Sequence, residues 1–524
     1  MGEGSIAGEP AVPAPAGGTT GEIVGESLKR TARGTVIAFI GMIVFLLLEF
    51  AIRVIIARGT SEADYGVFNI GYVLLSFFIM VAGLGLNAGA PRYIAFFRGA
   101  ADEKKIAGVV SSSLRLSLAA GIAFFVLFLA LSGPFASVFH LQSSSVFQVF
   151  ALAIPFGVMT EIFAAIFIGY GRMEEKVLFR DTLASVLRVF AVAVVILLGY
   201  GLLPVIWAYV LGTAAAAVLF AVPAMRRLSR VTAAEAEPMA REIIRFSLPL
   251  WTTNILNTII FYLDTLILGY FTTATVVGLY NAARPITQFL NIFIVSLSFI
   301  YVPVAAQLYA ANRIEEIRRN YVLLTKWIFL ATIPFFLVAF LFPGAVVGIL
   351  FGAAYGTPEV ALTLQVLSVG ILANVIAGPN APTLIVLGKP RLVLLDNFVA
   401  AVIYVGANLL LIPTIGMVGA AIAATLSLLS VNVIKSIQIY RFERIHPFSA
   451  NYLKTLALAF LSLAVVYGLS LALGLQRAGI LFLLSFAVCF LGIYAVLMYL
   501  TGSFDREEVH SIRMIYSNLS GRIR

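Results

Sequence analysis

The chain has 524 residues, of which 61% are hydrophobic and only 11% charged, with a mean hydropathy of +1.02 and a formal net charge of +10. Soluble domains are about half apolar and about a quarter charged, so this composition excludes a set of water-surrounded globular domains and makes a bilayer the solvent. The basic balance does not signal nucleic acid, because Lys and Arg punctuate apolar runs and form no compact patch.

Residues 1–33 are rich in Gly, Pro, Ala and Glu and read as a disordered cytoplasmic tail, with Glu22 to Arg33 as a short amphipathic helix on the membrane surface. No short apolar stretch follows a basic start, so no cleaved signal peptide is expected. A hydrocarbon core needs about 20 apolar residues of helix. Such runs fall near 34–57, 67–90, 108–131, 147–170, 182–200, 203–224, 247–270 and 276–304. Others follow near 321–342, 360–387, 397–413, 416–439, 452–474 and 479–501. The turns Gly201 to Pro204 and Pro413 to Gly416 separate spans 5 and 6 and spans 11 and 12. The expected fold class is therefore an all-α polytopic membrane protein of about fourteen transmembrane helices. One cysteine, Cys489, and three scattered histidines, His140, His446 and His510, leave no disulfide framework and no Cys/His metal site.

Loop charge sets an orientation. On one side the gaps between runs hold only Arg58 and Arg477. The other side carries nearly all the remaining Lys and Arg, from Lys29 and Arg30 through Arg98, Arg172, Lys176, Arg180, Arg313, Lys326, Lys389 and Lys435 to Arg522. Both termini are thus expected in the cytoplasm, at the inner or plasma membrane. The net charge is accounted for by the same asymmetry.

An internal repeat is also legible. YGVFNIGY (Tyr65 to Tyr72) is similar to VGLYNAAR (Val277 to Arg284), with Gly66 and Asn69 matching Gly278 and Asn281. The same spacing pairs Pro91 with Pro303 and Glu103 with Glu315. Further on, Asp181 matches Asp396 and Gly201 matches Gly416. Spans 1–6 (34–224) and 7–12 (245–439) then form two parallel six-helix lobes. A cytoplasmic linker at 225–244 joins them, the two added helices occupy 452–501, and a cytoplasmic tail occupies 502–524.

Several segments carry a family resemblance. VIIARGTSEADYGVFNIGYVL (Val54 to Leu74) and GLGLNAGAPRYIAFFRG (Gly83 to Gly99) resemble the start of polysaccharide and oligosaccharide flippases. YLDTLILGYFTTATVVGLYNAARPI (Tyr262 to Ile286) resembles the start of their second half, and TLIVLGKP and GMVGAAIAATLS are also similar. This is the multidrug, oligosaccharidyl-lipid and polysaccharide export superfamily. The resemblance implies a V-shaped pair of lobes that flips a polyprenyl-(pyro)phosphate-linked glycan by alternating access, with the bilayer and glycan-assembly enzymes as its surroundings.

Ionisable residues within spans are costly and mark cavities or partners. They are Glu49 and Arg53 in span 1, Arg115 in span 3, Glu161 in span 4, Arg188 in span 5, Asp264 in span 7 and Arg284 in span 8. Arginines facing a cavity suit a diphosphate, since a guanidinium stays charged and offers forked donors. In relatives the cleft is lined by spans 1, 2, 7 and 8, which ranks Arg53 and Arg284 above Arg188 and Arg115. Other readings remain open: Glu49 with Arg53 and Asp264 with Arg284 as structural pairs, and Arg115 and Arg188 snorkelling to the inner face. Glu49, Asp264 or Glu161 could instead carry a coupling H+ or Na+, and no other cofactor is expected. Asn69, Asn254, Asn257 and Asn281 bridge helices or meet sugar hydroxyls. The glycines of GLGLNAG are expected to serve close packing within a helix.

Three function classes fit a chain of this kind: a lipid-linked glycan flippase; a multidrug, small-amphiphile or lipid II-type exporter; and a membrane-embedded glycan polymerase or transferase. The third lacks paired catalytic carboxylates, a phosphate-binding Gly-rich loop and any large loop domain.

Overall fold

A computed structural model describes residues 20–228, 237–448, 450–472 and 479–503. Among the described residues the chain is helical apart from turns, and eleven helical stretches are long and apolar enough to cross a membrane. Their outer faces are apolar: Leu197 and Leu481 are 85% and 80% exposed. Such surfaces would be driven together in water but are at home among acyl chains. The chain is a multi-pass membrane protein.

The first of two compact units ends at Gly278. Its helices are α1 (Thr20–Gly59), α2 (Glu62–Ala82), α3 (Leu86–Gly99), α4 (Glu103–Val138), α5 (Ser145–Ala151), α6 (Ala153–Gly169) and the single turn α7 (Met173–Glu175). A π-helical stretch, Lys176–Leu183, leads into α8 (Ala184–Leu197), followed by α9 (Leu202–Leu228), α10 (Ala240–Phe271) and the first turn of α11 (Ala274–Ala310). α1 is continuous from Thr20, so Glu22 to Arg33 is its amino-terminal extension and not a separate surface helix, and the tail expected to be disordered through residue 33 is helical from residue 20. Residues 1–19 lie outside the described residues, as do 229–236, in the middle of the expected linker, and the tail from 504. α10 begins within the expected linker, at Ala240, and packs on α2, α3 and α4.

GLGLNAG does not form one continuous helix as expected. Leu84 (φ 48°) and Gly85 (φ 70°) adopt left-handed conformations that separate α2 from α3. A left-handed non-glycine residue costs energy, and the surrounding contacts hold the turn. The Trp251 indole N–H donates to the Val81 carbonyl at 3.1 Å, satisfying an acceptor at the interrupted end of α2. The close-packing role is nevertheless present, because a Cβ on Gly89 would meet Ser247 and Ile243 of α10. Around this junction Leu86, Ala90, Ile94, Ile106, Ile162, Ile166 and Ile243 form a buried core. Phe220 of α9 stacks on Phe167 and Phe179 at centroid distances of 5.5 and 5.1 Å.

The second unit contains the rest of α11 and α12 (Ile314–Leu341), α13 (Pro343–Phe351), α14 (Pro358–Ala377), α15 (Asn380–Val386), α16 (Pro390–Glu443), α17 (Ala450–Ala472) and α18 (Ile480–Leu500). α16 contains a break at Ile415 and Gly416, whose φ is +57°, at the turn expected between spans 11 and 12. Its apolar core joins Ile328, Phe329 and Phe336 of α12 to Tyr452, Phe486 and Phe490. Lys326, read from sequence as a loop cation, is 2% exposed and donates to the Ser503 carbonyl at 2.7 Å. The Tyr321 hydroxyl lies within hydrogen-bond reach of both the Ala377 carbonyl and the Asn380 side-chain oxygen, stitching α12 to the interruption between α14 and α15.

Candidate functional site

The first unit holds a cavity of about 360 Å³ whose polar lining comes from α1, α2, α3, α4, α6, α8, α9, α10 and the π-helical stretch. Its position follows from helix contacts that bring chemistry to one level. A Cβ on Gly212 of α9 would lie 2.9 Å from Arg188 Cα. Only a residue without a side chain lets α9 approach α8 this closely, which sets Tyr209 beside Arg188.

Arg188 is the best-connected residue at the cavity. Its Nη2 lies 2.8 Å from Glu49 Oε1 and donates to Ser185 Oγ at 3.0 Å; Nη1 donates to the Tyr209 hydroxyl at 3.0 Å and Nε to the Ala184 carbonyl at 3.2 Å. The side chains of Arg188 and Glu49 are 14% and 13% exposed. A pair so nearly removed from water holds only with its remaining donors satisfied, and here every guanidinium nitrogen has a partner. Glu49 thus pairs across helices with Arg188, whereas the sequence suggested Arg53, four residues along α1. The difference is directional: side chains four apart can meet but are not obliged to, and Arg53 instead stands over the Tyr72 ring, 5.3 Å from its centroid. Tyr65, Tyr262 and Glu49 complete the electrostatic neighbours of Arg53.

A second ionic group lies at the same cavity. Arg180 Nη2 is 2.7 Å from Glu161 Oε1 and its Nη1 is 2.9 Å from Asp181 Oδ1, while Lys176 Nζ reaches Asp181 Oδ2 at 2.6 Å. Sequence reasoning counted Arg180 and Lys176 as loop charges and missed this cluster. Their place eight and twelve residues before the in-span Arg188, on one helical run, was the signal that could have found it.

Aromatic rings fill much of the remaining wall. Tyr72 meets Tyr209 and Tyr262 edge-on at 6.1 and 6.4 Å. Trp251 and Phe45 line the same space, as do Asn87 and Asn254. None of these aromatics could be singled out from sequence, because Phe and Tyr are abundant throughout.

The other expected residues fall elsewhere. Arg115 is exposed on α4 and does not line the cavity. Asp264 is buried in α10, where its Oδ1 accepts from the Thr265 backbone N–H at 2.7 Å. Arg284 is half-buried on α11 in the second unit. Asn69 is buried and donates to the Tyr65 carbonyl of its own helix at 2.7 Å, and Asn281 is buried as well. The side chain of Asn257 lies outside the described residues.

Comparison with known proteins places this architecture. A family model described as polysaccharide biosynthesis protein matches residues 31–309, just over half of the chain, and the MatE model matches 249–410. An uncharacterized membrane protein of Methanocaldococcus jannaschii is 24% identical over 409 residues, covering 72% of this chain and 77% of that protein. A probable flippase of Haloferax volcanii is 29% identical over 194 residues, 34% of this chain and 37% of that one. Among solved structures, the lipid II flippase MurJ in an inward closed conformation has a TM-score of 0.71 at 11% identity, covering 89% of this chain and 98% of that one. An inward-facing multidrug resistance MATE transporter has a TM-score of 0.65 at 18% identity, covering 75% and 93%. The two structures show a shared fold, and the family model shows kinship: the chain belongs to the polysaccharide biosynthesis protein family, within the superfamily of multidrug, oligosaccharidyl-lipid and polysaccharide transporters and flippases.

Proposed function

We propose that the protein flips a polyprenyl-(pyro)phosphate-linked oligosaccharide or polysaccharide repeat unit across the cytoplasmic membrane, by alternating access between two six-helix lobes. The observation that carries this reading is the match to the polysaccharide biosynthesis family over residues 31–309, which spans the helices that line a cavity bearing charged and hydrogen-bonding side chains. The local likeness to the Haloferax volcanii protein supports it.

In this reading the chain crosses the membrane fourteen times with both termini inside. α16 counts as two crossings because it breaks at Gly416. α8 and α10 supply the fifth and seventh. Spans 1–6 and 7–12 are parallel repeats. One contact supports the repeat: a Cβ on Gly66 would meet the Ala274 carbonyl oxygen at 1.7 Å, and one on Gly278 would meet the Glu62 carbonyl oxygen at 2.0 Å. Gly66 with Gly278 and Glu62 with Ala274 are equivalent at the spacing of the repeat, so the contact is reciprocal, as between two-fold related helices.

Arg53 and Arg284 are the candidates for the anionic head group. Arg188, fully engaged with Glu49, Ser185 and Tyr209, positions the wall. An ion-driven cycle would use H+ or Na+ at Glu49, Glu161 or Asp264, the carboxylates within the spans. The match to the MatE model over 249–410 favours a second reading, export of a small amphiphile.

Reconstitution separates the two. Purified protein in vesicles should move a lipid-linked oligosaccharide between leaflets, and Arg53→Ala or Arg284→Ala should cut that rate at least about tenfold with membrane abundance unchanged. Mass spectrometry of co-purifying lipid should detect a polyprenyl-linked glycan. Finding neither the lipid nor flipping, with transport of cationic dyes instead, would establish the second reading.

A further inference from the structure

Three hydroxyl side chains on different helices of the first unit share one habit. Ser76 donates to the Tyr72 carbonyl at 2.8 Å, Thr160 to Phe156 at 2.9 Å and Thr213 to Tyr209 at 2.9 Å, and all three line the cavity. A hydroxyl has one proton and two lone-pair acceptor sites. Having spent their protons on their own helices, these groups offer only acceptors to the space. The Glu49 and Glu161 carboxylates add more acceptors at the same wall.

Ser117 supplies an independent observation. It lines the cavity, is 1% exposed, and its Oγ has no hydrogen-bond partner. A buried hydroxyl left alone is costly, and a ligand atom would satisfy it. The rings of Tyr72 and Trp251 border the same volume.

Charge argues against a phosphate here. The two guanidiniums at this cavity already bind carboxylates, Arg188 with Glu49 and Arg180 with Glu161 and Asp181. A phosphate brings acceptors and negative charge, so it would find acceptors and like charge facing it. A pyranose is the opposite kind of ligand. Its hydroxyls donate to acceptors while its C–H faces lie against aromatic rings, whose faces carry negative charge density. The cavity volume falls in the range of small-molecule sites, about 300–1,000 Å³.

We infer that the cavity of the first unit is a subsite for an uncharged sugar residue, read by the acceptors of Ser76, Thr160, Thr213 and Glu49 and the rings of Tyr72 and Trp251. The inference rests on the reading of the cargo as a glycan-bearing lipid and deepens it: the glycan, and not the diphosphate, occupies this cavity.

The test uses the full chain in nanodiscs with Trp207→Phe and Trp327→Phe, leaving Trp251 as the sole tryptophan reporter. Methyl glycosides of glucose, galactose, mannose and N-acetylglucosamine are titrated, with glucuronate and inorganic pyrophosphate in parallel. At least one neutral glycoside should shift Trp251 emission saturably. Thr213→Val and Ser76→Ala should each weaken that response about fivefold, the equivalent of one hydrogen bond, while Arg115→Ala leaves it unchanged. Monodispersity and melting temperature screen each variant for folding, and Ser76→Thr, which retains the hydroxyl, should restore binding. Saturable response to pyrophosphate or to sodium chloride alone, or to no neutral glycoside, overturns the inference. Flipping of a lipid-linked glycan is measured separately: flipping without a sugar response removes this subsite and leaves the proposed function standing, whereas a sugar response without flipping does the reverse.

Discussion

Glu49 and Arg188 show why an ion pair inside a membrane protein has to be judged by its partners. Each is nearly out of water, so removing one leaves the other without compensation. Glu49→Ala should lower stability by about 3 kcal/mol, seen as a fall in the thermal midpoint in detergent, and the double variant Glu49→Ala/Arg188→Ala should recover part of that loss. If the double variant loses as much as the sum of both singles, the pair is not coupled. A different residue sets a pH response at a helix end. Asp102 caps α4, accepting the Lys105 backbone N–H at 3.1 Å, and that bond holds its carboxyl below the usual carboxylate range. A carboxyl with a depressed folded value contributes stability above its unfolded value and loses it as pH falls through the folded one. Hydrogen exchange of the Lys105 amide should therefore quicken, relative to its intrinsic rate, on acidification below the ordinary carboxylate range. Asp102→Asn should keep the cap and abolish the pH dependence.

At the scale of elements, close backbone approach governs. α2 and the first turn of α11 meet at Gly66 and Gly278, where no Cβ fits. Gly66→Ala or Gly278→Ala should force these helices apart, giving a loss of monodisperse protein and a lowered melting temperature. Gly406→Ala, with nothing within 4 Å of its added carbon, should be neutral or slightly stabilising, because Ala is the better helix former by about 1 kcal/mol. The interruption between α2 and α3 follows the same logic. It is held by Gly85 and by α10, whose Trp251 indole and Ser247 reach the junction from more than 150 residues away. That is why the run 67–90 reads locally as one apolar helix and folds as parts of two.

For the whole molecule the decisive measurement is topology. In a Cys489→Ser background, single cysteines replacing Arg58 or Arg477 should react with a membrane-impermeant maleimide on intact cells, and those replacing Arg313 or Lys389 should react only after lysis. Labelling of position 313 from outside would overturn the proposed orientation and, with it, the parallel repeat. The inner-side charge excess remains the basis for this expectation, even though Arg180 and Lys326 proved to be engaged within the fold.

The sequence by itself determined that the chain lives in a membrane, that it is helical, and roughly where its apolar runs lie. Those properties follow from composition and from run length measured against bilayer thickness, which need no long-range contact. The resemblance of Val54 to Leu74 and of Tyr262 to Ile286 also anticipated the family. Only the tertiary structure decided which charges face one another. Arg188 could snorkel, bind phosphate or pair, and its partner Glu49 lies on another helix more than a hundred residues away. The acceptor character of the cavity was equally hidden. Whether a serine or threonine offers its proton or its lone pairs depends on where that proton is already spent, and spacing along the chain does not reveal which helix face looks inward.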